Sequence, residues 1–113
     1  MARYKLTIRR TGRTDQSRFE ALEDALQALE ARLDELAPVE RRGPERALVR
    51  EVSPAQQVVV RGEIAGPNGL RGGVDLHGDA SARAYTGRWR RVPVDPAPGE
   101  TAYDALRRAL TPA

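Results

Sequence analysis

Phe19, Leu22, Leu26, Leu29, Leu33 and Leu36 recur every three or four residues until Pro38 interrupts the run. This spacing gathers them into one apolar stripe along a helix. Just ahead, Ser17 and Glu20 have the S-x-x-E spacing of a capping box, whose hydroxyl and carboxylate each satisfy an unpaired amide of the first turn. A helix of about 19 residues, roughly 28 Å long, is therefore predicted up to Leu36. Pro38 ends it, because proline disfavours helical geometry at Ala37 and has no amide to donate. Ala21, Ala25 and Ala28 flank the stripe. A coiled-coil seam is the other use for such leucines, but the run covers fewer than three heptads, which favours packing on a sheet.

The sheet is written in the rest of the chain. Tyr4 to Arg10 alternates, with Tyr4, Leu6 and Ile8 on one side and Lys5, Thr7 and Arg9 on the other. A polar turn is expected from Thr11 to Gln16. After a Pro/Gly/Arg connector at residues 38–45, four strand-like runs follow: Ala47 to Val52, Gln56 to Ala65, Leu70 to His77 and Ala82 to Val92. Ser53-Pro54, Gly66-Pro67-Asn68-Gly69, Gly78-Asp79 and the Pro-rich link at 93–99 punctuate them. Thr101 and Asp104 then open a short helix carrying Ala102, Tyr103, Leu106 and Leu110 on its apolar side.

The order β-α-β-β-β-β-α predicts a single α+β domain over residues 1–113. It is a two-layer sandwich with a five-stranded, mostly antiparallel sheet and two helices on one face. Val58, Val60, Ile64, Leu70, Val74, Leu76, Tyr85 and Trp89 would join Tyr4, Leu6 and Ile8 beneath the helices. Gly62, Gly72 and Gly87 share that parity and would admit a close helix or mark bulges. The open face would carry Lys5, Arg9, Arg61, Glu63, Arg71, Asp75, His77, Arg88 and Arg90. If instead the last strand were flipped, Tyr85, Trp89, Arg83 and Arg91 would face outward.

Composition narrows function mainly by exclusion. The chain has no cysteine and one histidine, so disulfides, Cys-ligated metal centres and a thiol nucleophile are ruled out. No apolar run approaches the roughly 20 residues that cross a bilayer, and the first residues lack the apolar core of a secretory signal. A cytoplasmic location without a membrane partner is the expectation. Leu, Ile, Val, Phe and Met are few while alanines are many, so the core should be thin, with a second copy of the chain to help close it. Of the 19 basic residues only Lys5 is lysine, a bias that a G+C-rich genome also produces.

Charge is unevenly spread although its total is only +3. Residues 1–14 and 80–94 hold basic side chains and no acidic ones, whereas 15–37, the long helix, is acidic. Were the first and last strands neighbours, Lys5, Arg9, Arg88, Arg90 and Arg91 would supply one polyanion-binding patch. Paired to Glu63, Asp75 or a second subunit, the same arginines would be an ordinary solvated face. Base recognition requires exposed aromatics, and the expected parity buries Tyr85 and Trp89.

Other motifs carry less. His77 shares a strand face with Asp75, about 7 Å away, as a carboxylate-oriented base or weak metal site would require. The run ends at a Gly-Asp turn, however, and a surface histidine is the expectation. Ser17, Ser53 and Ser81 supply no nucleophile set beside it. Gly66 to Gly73 looks like a phosphate loop but leads into a strand and lacks Gly-Lys-Ser/Thr, so it reads as a hairpin turn. The succession of helix, meander and helix resembles the layout of double-stranded-RNA-binding domains. Their lysine-rich start to the second helix is replaced here by Glu100-Thr101-Ala102-Tyr103-Asp104, so no binding residue is carried over.

These readings converge on a non-catalytic binding or assembly module without cofactor or metal, joined to itself or to another protein. The alternative is an accessory nucleic-acid-binding protein that grips the phosphate backbone. An enzyme using His77 with Asp75 ranks last.

Overall fold

The computed structural model describes residues 3–38 and 57–111. The expected strand 47–52, and all of the expected connector except Pro38, lie outside them. The described elements are β1 (Tyr4–Arg10), β2 (Arg13–Phe19), α1 (Leu22–Leu36), β3 (Val58–Ala65), β4 (Arg71–His77), β5 (Ala82–Thr86), β6 (Val92–Val94) and α2 (Ala102–Leu110). The six strands form one sheet in the order β2-β1-β3-β4-β5-β6, antiparallel throughout. Both helices cover the same face, α1 over β1 and β3, and α2 over β4 and β5. The expected α+β sandwich is what forms, with six strands rather than five.

Strand β2 is the first correction. The segment read as a polar turn and a capping box instead pairs along β1, from Arg10 opposite Arg13 to Tyr4 opposite Phe19, around a tight turn at Thr11-Gly12. Ser17 therefore lies in a strand opposite Leu6, and α1 begins at Leu22 after Ala21, which makes no side-chain cap. β2 escaped the pattern because it is an edge strand whose only large apolar side chain is Phe19. Polar side chains suit an edge, since they discourage pairing with another chain.

The stripe of α1 packs as its spacing requires. Leu26, Leu29, Leu33 and Leu36 are buried with Leu6, Ile8, Val60, Ile64, Val74, Leu76, Leu106 and Leu110 in one cluster. Gly62 lies directly beneath Leu29, where a side chain would collide with the helix layer, and Gly72 lies beneath Leu106 and Leu110, where a Cβ would meet the Tyr85 carbonyl and crowd both leucines. Their parity in the sequence points to this close approach. α2 starts with a complete capping box: Asp104 N donates to Thr101 Oγ1 at 3.1 Å, and Thr101 N donates to Asp104 Oδ2 at 3.0 Å. Between β3 and β4 the chain makes a single 3-10 turn at Pro67–Gly69, with Asn68 in the left-handed region (φ 59°). This is a turn between strands, as its context predicts.

The run 82–92 is the second correction. It breaks after Thr86, turns, and returns as the short edge strand β6, which includes Pro93 from the expected Pro-rich link. Gly87 makes the break, with φ at 105° and the Arg90 carbonyl occupying the space a Cβ would need. Register with β4 sets Ala84 opposite Val74 and Tyr85 opposite Gly73. The small Ala82 and Ala84 therefore face α2, while Tyr85 faces away from the helices.

Candidate functional site

The open face of the sheet can be read directly from the strand register. One row across it runs Arg18, Lys5, Ala65, Arg71 and then Gly87, whose amide donates to the Arg71 carbonyl at 2.9 Å. The next runs Gln16, Thr7, Glu63, Gly73, Tyr85 and Pro93. The third runs Thr14, Arg9, Arg61, Asp75 and Arg83. Six cations in these rows thus share the face with two carboxylates. The turn after Gly87 adds Arg88, Arg90 and Arg91 at the end of the first row.

Both carboxylates are already occupied. Asp75 receives Arg61 through two bonds, from Nε to Oδ1 at 2.6 Å and from Nη2 to Oδ2 at 3.2 Å. The bond to Asp75 raises the pKa of the Arg61 guanidinium further above its ordinary value. Glu63 receives Arg71 Nη1 on Oε1 at 3.4 Å and the Tyr85 hydroxyl on Oε2 at 3.1 Å. Burial first, and then the Glu63 charge, raise the Tyr85 phenol, keeping it a protonated donor. The ordinary-surface reading thus holds for Arg61 and Arg71. Among the described residues Lys5, Arg9, Arg18, Arg83, Arg88, Arg90 and Arg91 have no carboxylate partner.

The expected burial of the two aromatics beneath the helices is overturned. Trp89 stands on the turn with 90% of its surface exposed, and its ring is 5.4 Å from the Arg88 guanidinium carbon. Tyr85 is buried, but on the open face, covered by Arg91 at 4.8 Å from its ring centroid. The reason is register: parity within a strand counts from its partner, and the break at Gly87 frees Trp89 from any strand.

The five residues expected to form one patch do not form one. Lys5 and Arg9 are on the outward side of β1, but β3 and β4 separate that strand from β5, a span of about 14 Å. Arg88, Arg90 and Arg91 are together on the turn. What links the two groups is Arg71, on the row with Lys5, and Arg18 extends that row to the opposite edge. Arg18 was missed because its strand was. Arg83 belonged only to the flipped alternative.

His77 also differs from expectation. It lies outward on β4 as Asp75 does, but it is only 9% exposed, and its Nδ1 is buried without a hydrogen-bond partner. Asp75 is taken by Arg61, and Asp79 Oδ1 accepts from the Ser81 amide and hydroxyl. No group of three metal-ligating side chains occurs among the described residues. None of their helices is long and apolar enough to cross a membrane.

The opposite side of the molecule is acidic. α1 carries Glu23, Asp24, Glu30, Asp34 and Glu35 against Arg32, and Glu23 is bridged to α2 by Arg107 through two bonds of 3.0 Å. The chain is therefore polarised, with a cationic sheet face and an anionic helix layer. Compared with known proteins, the chain matches no family profile, no curated protein and no solved structure.

Proposed function

We propose that this protein is a non-catalytic binding module that holds single-stranded nucleic acid across its open sheet face. The observation that carries the reading is the bare indole of Trp89 among Arg88, Arg90 and Arg91, at the end of the row whose unpaired cations are Arg18 and Lys5. Cations that track a phosphate backbone, ending at an aromatic on which a base can stack, are the pairing that single strands require. The exposed indole, beside the Arg88 guanidinium, leaves an aromatic face open for a base to stack on. A flat face offers no helix or ribbon to enter a duplex groove, which favours a flexible strand over a rigid double helix. Because Asp75 and Glu63 are neutralised by Arg61 and Arg71, the remaining cations are available to phosphates.

Self-assembly, expected from the thin composition, draws on a weaker observation, the exposed Val58 and Val92. These two residues offer little apolar area for a stable dimer.

Fluorescence anisotropy with labelled strands of about twelve nucleotides, and with the matching duplexes, tests the nucleic-acid reading. Single strands should bind at low salt and weaken steeply as salt rises, with the duplexes weaker throughout. Absence of strand binding at low salt would end this reading.

A further inference from the structure

On the open face at the β4, β5 and β6 end of the sheet lies a cavity of about 220 Å³ bordered by Asp75, His77, Arg83, Tyr85, Arg91 and Pro93. Its polar groups are nearly all donors. Arg83 and Arg91 have no carboxylate partner among the described residues. His77 is more than nine-tenths buried, and its Nδ1, which has no hydrogen-bond partner, also has no accessible surface on the cavity. The one carboxylate in the wall, Asp75, is engaged through both oxygens by Arg61, and the Tyr85 hydroxyl is turned to Glu63. Asp79, on the adjoining turn, is held by Ser81 and does not line the cavity.

Two guanidinium forks beside one small space call for a compact acceptor with several oxygens and high negative charge. We propose that this cavity is a subsite for a phosphate monoester, held by Arg83 and Arg91. The monoester fits better than an internal diester because it carries up to two negative charges and a third free oxygen. Such a group occurs at the end of a nucleic-acid strand and on a free mononucleotide. The strand source rests on the function proposed above, whereas the mononucleotide source does not.

The test compares 5′-phosphorylated with 5′-hydroxyl strands, and adenosine 5′-monophosphate with adenosine, by anisotropy and calorimetry on the full chain. The terminal phosphate should tighten strand binding about tenfold, as charge-assisted hydrogen bonds from two guanidinium groups do. That ratio should fall toward one in Arg83→Gln and in Arg91→Gln, both exposed positions that leave the core untouched. If no strand binds but the monophosphate does, and Arg83→Gln abolishes that binding, the subsite stands and the strand reading falls. Equal affinity for both strands together with no preference for the monophosphate overturns the subsite. So does a tenfold preference that survives both arginine substitutions.

Discussion

The Arg91 guanidinium lies over the Tyr85 ring, 4.8 Å from its centroid, on the side of the sheet away from both helices. This contact ties Arg91, at the end of the turn that carries the exposed Trp89, to the open face. A tyrosine buried among polar groups is held by both ends: its ring by Arg91 and its hydroxyl by Glu63. Tyr85→Phe should keep the ring in place and remove one hydrogen bond, costing about 0.5–1.5 kcal/mol in urea unfolding. Tyr85→Ala should cost more, and should weaken strand binding by releasing the turn.

Trp89→Ala separates function from stability. With 90% of its surface in solvent, the indole contributes little to the fold, so unfolding free energy should change by no more than about 0.5 kcal/mol. Affinity for a single strand should drop by about 1–3 kcal/mol, the worth of one stacked base. An unchanged affinity would remove the aromatic from the proposed interface.

The cations toward the β2 end of the first row should act through charge rather than through detailed geometry. The double variant Arg18→Gln with Lys5→Gln should weaken binding of every strand sequence alike. It should also flatten the dependence of log affinity on log salt by about 0.7 for each phosphate that is no longer neutralised. A changed sequence preference with an unaltered slope would contradict a backbone grip.

Gly62→Ala tests the packing of α1. The added methyl would run into Leu29 Cδ1 and sit 3.1 Å from Ile8 Cδ1, and both side chains belong to the buried core. Overpacking there should cost about 1–3 kcal/mol, measured by denaturant unfolding.

The start of α2 makes an acid-range prediction. Arg108 donates to both oxygens of Glu100, whose carboxylate also accepts the Ala97 amide, and these bonds hold its pKa at about 2 against an ordinary value of 4.5. A carboxylate whose folded value is lowered stabilises the fold above its unfolded value, and that contribution is lost as pH falls toward the folded one. The linkage should therefore operate between about pH 4.5 and 2, and Glu100→Gln should remove that part of the pH dependence of melting. Carbon-detected NMR should place the Glu100 midpoint near 2.

Much of the frame was legible in the chain itself, and the reason is local. The leucine spacing of α1, the alternation of β1, β4 and β3 from Val60 onward, the Thr101–Asp104 cap and the parity of Gly62 and Gly72 each depend on neighbours a few residues away; Val58, expected beneath the helices, is exposed because the register with β4 shifts between Val58 and Val60. Side-chain period reports such elements directly. By the same logic Ser17 and Glu20 imitated a cap. The spacing was correct, but the backbone there found its partners along β1 instead, and no local pattern records a pairing between polar strands.

Tertiary structure alone decided the site. Which way Tyr85 faces follows from Gly73 lying opposite it on β4, a non-local register that a run of Ala, Arg and Gly leaves open. Placing β1 between β2 and β3 split the expected basic patch and enlisted Arg18 and Arg71 to connect its halves. Trp89 reached solvent because Gly87 could turn the chain where a continuous strand was expected. The sequence determined which residues could pack and which could bind; only pairing between distant strands determined which of them meet.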